Sequence, residues 1–133
     1  MYQQYSFGQR SAEDLAQAYY EQPTALGIFC KQPIPGKVKT RLGEGIGNEE
    51  AAKIYDRLVK HTCKVIKRVP GRLKTYFFFD PPGEKENIHQ WLGHENRLVP
   101  QSNGDLGDRM LKAFEFCQTR GHQKTLLLSL IHI

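Results

Sequence analysis

Four cations, Lys31, Lys37, Lys39 and Arg41, stand within eleven residues that contain no acid. The segment reads Lys31-Gln32-Pro33-Ile34-Pro35-Gly36-Lys37-Val38-Lys39-Thr40-Arg41-Leu42. Lysine supplies a mobile point charge and arginine a bidentate fork, a set that suits a di- or triphosphate. The prolines restrict the backbone, and Gly36 permits a tight turn or the close approach of a ligand. In extended chain, Lys37, Lys39 and Arg41 fall on one side, with Val38, Thr40 and Leu42 opposite. The order is neither the Walker A loop nor the G-x-G-x-x-G dinucleotide signature. These residues alone leave two readings open, a phosphate-binding loop and a solvated basic loop.

A second segment reads Gln101-Ser102-Asn103-Gly104-Asp105-Leu106-Gly107-Asp108-Arg109-Met110. Its glycines give turns, and Asp105, Asp108 and Arg109 put charges of both signs at the start of a helix. Asp105 either caps that helix, with Asp108 at the favoured third position, or lies with Gly104 and Arg109 beside a bound nucleotide or acceptor.

Other chemistry is not signalled. His61, His89, His94, His122 and His132 form no H-x-x-x-H pair, so they read as surface or packing residues. Ser11, Ser102 and Ser129 lack the G-x-S-x-G context of a hydrolase nucleophile. Cys30, Cys63 and Cys117 are widely spaced with no C-x-x-C pair. They are expected to be inert thiols in a reducing compartment, the cytoplasm. No catalytic residue and no metal-ligand set emerges from the residues themselves.

Composition bounds the partners. A chain of 133 residues allows one domain. With 39% hydrophobic and 25% charged residues, it is expected to fold rather than remain disordered. The net charge is +5, and without the four loop cations the remainder is nearly neutral. A local patch of this kind suits a small anion, not a nucleic-acid track. No apolar run reaches the length of about 18 residues that a membrane span needs. The polar start, Met1 to Arg10, has no secretory signal pattern.

The elements that must position these loops follow from periodicity. Residues 1–22 read as an extension with a short helix over 12–21, capped by Ser11. Ala25–Cys30 reads as a buried strand. Asn48 is the expected N-cap of a long helix carrying Ala51, Ala52, Ile54, Tyr55, Leu58, Val59, Val65 and Ile66 at helical spacing. Leu73–Phe79 is apolar enough to be an interior strand, and Asp80-Pro81-Pro82-Gly83 a turn at its end. A short helix over Glu84–Leu92, a weak strand at Arg97–Pro100, a helix over Arg109–Arg120 and a strand from Lys124 complete the order. Such alternation predicts an α/β fold with a mostly parallel sheet and helices on both faces. Ligands then bind at the carboxyl ends of the strands, where both unusual loops can lie.

Taken together, Lys31 to Leu42 resembles the signature K-x-P-x-x-G-x-V-K-T-R-L, and Gly104 to Met110 resembles G-D-L-G-[DE]-R-M. Both are similar to a glycosyltransferase A-like family long described as a domain of unknown function. That family is itself similar to the guanylyltransferase that activates phospholactate in deazaflavin cofactor synthesis. The resemblance runs from Ala25 to about Leu128. It implies a three-layer, Rossmann-like fold of the nucleotide-diphospho-sugar transferase type (GT-A-like), of which this chain holds the N-terminal half only. It implies a nucleotide-sugar-dependent glycosyltransferase using Mg²⁺ or Mn²⁺, with a nucleoside diphosphate sugar as partner. A nucleotidyltransferase acting on a nucleoside triphosphate and releasing pyrophosphate is the alternative. A nucleotide-binding protein without turnover is the third reading.

Carried over residue by residue, Lys31, Lys37, Lys39 and Arg41 hold the nucleotide phosphates. Gly36, Gly104, Asp105 and Arg109 line the cleft. After the strand that begins at Lys124, the family continues into G-[ST]-D-x-P, whose aspartate is the expected metal ligand. Here the chain reads Leu128-Ser129-Leu130-Ile131-His132-Ile133, with no aspartate. That ending resembles the translation of a sequencing adapter. The expected organisation is therefore an extension over 1–22, a partial nucleotide-binding domain over 23–128 and a non-native tail over 128–133, in an inactive fragment.

Overall fold

The computed structural model describes Ala12 and residues 23–130. The helix expected over 12–21 falls outside the described residues, except Ala12, which is helical. The residues 131–133 of the expected tail also fall outside them.

Side chains alternate faces along a strand, and in the two interior strands both faces are apolar. Strand β1 spans Thr24–Cys30 and β2 spans Leu73–Phe79. They pair in parallel, with Ile28 opposite Phe77 and Phe29 opposite Phe78. On one face Ile28, Cys30, Phe77 and Phe79 pack with Tyr55, Val59 and Ile88. On the other, Ala25, Phe29, Tyr76 and Phe78 pack with Ala113 and Cys117. The result is three layers. Helices α2 (Asn48–Arg68) and α3 (Lys85–Leu92) cover the first face, and α4 (Leu106–Thr119) covers the second.

Strand β3 (Arg97–Pro100) pairs with β2, and β4 (Thr125–Ser129) pairs with β1, both in parallel. The strand order is β3-β2-β1-β4. The chain steps from β1 to β2 to β3 in one direction and then returns to the far side of β1. This reversal creates a topological switch between β1 and β4, next to the loop that follows β1. Gly27 lies at the centre of this arrangement. A Cβ there would come within 2.6 Å of Leu127 and 2.8 Å of Phe78, so only glycine lets those two side chains close over β1.

Three expectations need correction. The basic segment is not extended. It turns over 35–37, and Lys39 adopts the left-handed conformation at φ 48. From Thr40 to Ile46 it becomes a helix, α1. Consequently Lys37, Lys39 and Arg41 do not share one side of a strand. Gly47, not Asn48, is the N-cap of α2; Asn48 is its first residue and sits against Gly43, where a Cβ would collide with its side-chain oxygen. Helix α4 begins at Leu106, three residues before the expected start, because Asp105 caps it. Asp105 Oδ1 accepts from the Asp108 N–H at 2.9 Å, and Asp108 Oδ2 accepts from the Asp105 N–H at 3.2 Å. The capping reading of this segment is therefore the observed one.

Candidate functional site

Strand β1 delivers Lys31 to the carboxyl edge of the sheet. Its main chain is fixed there by Tyr55, a fully buried residue of α2. The Tyr55 hydroxyl accepts from the Lys31 N–H at 2.9 Å and donates to the Lys31 carbonyl at 3.0 Å. Burial pushes the phenol well above its ordinary pKa, so it remains a donor. Val38, further along the loop, is buried in the same core and pins the far end.

Strand β2 delivers Asp80 to the same edge. Its Oδ2 lies 4.0 Å from Lys31 Nζ and 3.6 Å from Arg109 Nη1. Arg109 comes from the first turn of α4 and is held from two further sides. Its Nε donates to the Gly104 carbonyl at 3.0 Å, and its Nη1 donates to Gln101 Oε1 at 3.1 Å. Gln101 is buried and anchored to β2, donating from Nε2 to the Phe78 carbonyl and from its backbone N–H to the Phe79 carbonyl. The ends of β1, β2 and β3 thus meet in one charged cluster, Lys31–Asp80–Arg109. Helix α4 sets its geometry through its cap, since Arg109 directly follows the capping box.

A cavity of about 270 Å³ opens beside this cluster, lined by Lys31, Gln32, Ile34, Lys37, Asp80 and Glu84 among others. Two of the four loop cations, Lys31 and Lys37, therefore face one space. Lys39 and Arg41 are not among its lining residues; Lys39 precedes α1 and Arg41 is exposed in that helix's first turn. Gly36 occupies the turn before Lys37 at φ +83, a conformation that favours glycine. Gly104 has φ +110, and a Cβ there would meet the Asp108 side chain at 2.5 Å, so the turn into α4 also requires glycine. Asp105 is engaged in the cap through Oδ1.

The sequence reading missed Asp80, Gln101 and Tyr55 as site residues. Asp80 carried a signal, an acid directly after the aromatic run Tyr76–Phe79 at the sheet edge where ligands bind. Gln101 and Tyr55 carried none, since their roles depend on distant main-chain partners.

The cysteines and His122 behave as packing residues. Burial raises all three thiols, Cys30 to about 12, so none is a ready nucleophile. His122 is buried away from this edge, with Nδ1 donating to the Pro23 carbonyl at 2.8 Å and Nε2 accepting from the Tyr76 hydroxyl at 2.9 Å. Among the described residues, no group of three or more His, Cys, Asp or Glu could hold a metal ion. At the carboxyl edge Asp80 is shared by two cations, Lys31 and Arg109. No described helix is long and apolar enough to cross a membrane.

No protein-family model matches the chain, and no curated protein does either. Among solved structures, it is similar to the crystal structure of a putative nucleotide-diphospho-sugar transferase from Desulfovibrio desulfuricans G20. The two share 31% identity over 81% of this chain, with a TM-score of 0.72. The chain spans 47% of that protein's length, about half. Layering, strand order and this likeness together identify the fold as the three-layer parallel α/β architecture of a nucleotide-diphospho-sugar transferase.

Proposed function

We propose that the chain supplies the phosphate-binding part of a transferase that uses a nucleoside diphosphate sugar. The observation that carries this reading is the convergence of Lys31, Lys37 and Arg109 at the carboxyl edge of the sheet, beside one cavity and next to the topological switch. Likeness to a protein named for nucleotide-diphospho-sugar transfer supports it. The chemistry required of these residues is electrostatic. As a glycosyl bond breaks, negative charge builds on the departing diphosphate, and cations already fixed in place stabilise that charge without reorganising. Arg109 is such a cation, because three of its neighbours hold its guanidinium before any ligand arrives. Lys31 has a fixed main chain and a mobile ammonium that can turn from Asp80 to a phosphate oxygen. Lys37 stands on the turn at Gly36 and completes the set. The divalent metal implied by the resemblance is not part of this reading, which rests on the cations alone.

The same cations can hold a triphosphate, and nucleotidyl transfer, which the resemblance of the two loops implies, is the alternative. Product analysis separates the two. The chain is incubated with nucleotide sugars and with nucleoside triphosphates, and the released nucleotide is resolved by ion-exchange chromatography. Released nucleoside diphosphate supports glycosyl transfer, and released pyrophosphate supports nucleotidyl transfer. Binding measured by calorimetry without either product assigns a non-catalytic nucleotide-binding role. Absence of nucleotide binding overturns the proposal.

A further inference from the structure

A second cationic feature lies away from the carboxyl edge, on the face covered by α4. Lys74 and Tyr76 of β2 share that face by strand alternation. Arg97 of β3 pairs with Tyr76 and Val99 with Phe78, so both sit on the same face. Phe116 of α4 and Arg120, the residue that caps its C-terminus, close the other side. Together these six residues line most of a trough of about 410 Å³. Its floor is apolar and rigid. The Tyr76 ring meets Phe116 edge-to-face at 5.3 Å, and its hydroxyl is tied to His122. Phe116 also packs edge-to-face on Phe78 at 5.7 Å.

Three cations stand over this floor, and no acid lines it. Among the described residues, none of Lys74, Arg97 and Arg120 has a carboxylate within ion-pair distance. Two are held by aromatic rings instead. The Arg120 guanidinium lies 3.6 Å from the Phe116 centroid, and Lys74 Nζ lies 5.8 Å from that of Tyr76. A cation resting on a ring face keeps its hydrogen-bond donors free for an anion. Lys74 lies six residues before Asp80 along β2, about 20 Å, and Arg97, opposite Tyr76, lies about 13 Å from that edge, although the trough itself runs on along β3 to Pro100. The two cation sets share no residue.

We infer that the trough between β3 and α4 is a second anion site, which takes a small polyanion bearing two or more carboxylate or phosphoryl groups. Arg97 and Arg120 grip it as bidentate forks from opposite walls, and Lys74 adds a point charge. This inference stands apart from the proposed nucleotide site and uses none of its residues.

The test is an ¹H–¹⁵N NMR titration of the full chain with inorganic pyrophosphate and, separately, with citrate. Saturating shifts centred on Lys74, Arg97, Phe116 and Arg120 are expected with at least one probe. The one that binds tells phosphoryl from carboxylate recognition. The double variant R97Q/R120Q is expected to weaken that event by about tenfold or more, since charge-assisted contacts are lost. Lys31→Gln is expected to leave it unchanged. If R97Q/R120Q does not keep the native spectrum, R97K/R120K is read instead. It preserves charge but removes both forks, and a loss of about threefold or more supports the site. Shifts confined to Lys31 and Lys37, unsaturated shifts spread over the surface, or unchanged affinity in the arginine variants overturn the inference.

Discussion

The Tyr55 hydroxyl satisfies both main-chain groups of Lys31, accepting from its N–H and donating to its carbonyl. A side chain on α2 thereby does what a neighbouring strand does elsewhere in the sheet, at the point where β1 ends and the basic loop begins. Replacing it removes both partners and keeps the ring.

Tyr55→Phe is therefore expected to lower stability by about 1–3 kcal/mol, the cost of leaving buried polar groups unpaired. Urea unfolding measures this. Nucleotide affinity is expected to fall with it, because Lys31 loses its anchor. A variant as stable as the parent removes the anchoring role.

The cations are expected to divide into two groups. Lys31→Ala, Lys37→Ala and Arg109→Ala each lose contacts worth about 1.5–3 kcal/mol with a bound phosphate, roughly tenfold or more in affinity. Arg41→Ala, outside the cavity lining, is expected to change affinity by far less. Arg109→Lys is expected to behave like Arg109→Ala, since its site uses the planar fork toward Gly104, Gln101 and Asp80 together. Calorimetric titration with a nucleoside diphosphate checks the ranking. Equal losses across all four positions contradict the geometry.

Asp80 competes with an incoming anion for Lys31 and Arg109. Both contacts are long and partly exposed, so each ion pair contributes about 0–1 kcal/mol. Asp80→Asn is expected to change stability little and to tighten phosphate binding a few-fold. Weaker binding in this variant would show that Asp80 positions the cations rather than neutralising them.

Alkaline pH is expected to destabilise the fold. Burial raises the Cys30 thiol from 9.0 to about 12, and Cys63, Cys117, Tyr55 and Tyr76 are raised in the same direction. Above pH 9 the unfolded chain releases its thiol protons while the folded chain retains that of Cys30. Stability is thus intact below pH 9 and falls between pH 9 and 12, by up to about 1.4 kcal/mol per pH unit for this thiol. Urea midpoints taken across that range are expected to decline, with a shallower slope in Cys30→Ala. An identical slope in that variant assigns the effect to other groups.

Much of the frame was legible because its signals are local. The unbroken apolar run Tyr76–Phe79 marked an interior strand, and the spacing of Ala51, Ala52, Tyr55 and Val59 marked the buried stripe of α2. Helix α1 was not legible. It contains Gly43 and Gly45, poor helix formers, and it packs on α2, where Asn48 leaves room for no side chain at Gly43. The bend at Lys39 was hidden too, because a lysine gives no sign of positive φ. Without that bend, the alternation of Lys37, Lys39 and Arg41 reads as one cationic stripe. With it, the cation that joins Lys31 and Lys37 at Asp80's edge comes from the second segment, as Arg109.

The return of β4 to the far side of β1 also sets an order of assembly. Ala25 pairs with Thr125, a separation of 100 residues, whereas β1–β2 and β2–β3 close shorter loops. Longer loops cost more entropy to close and slow the contacts that depend on them. The switch between β1 and β4 exists only after β4 docks. A chain caught before that step already carries its basic loop, the β1–β2 edge and the cavity beside them, which no β4 residue lines. The cavity's residues thus come from the part of the chain that closes the shorter loops, and β4 adds the switch beside them.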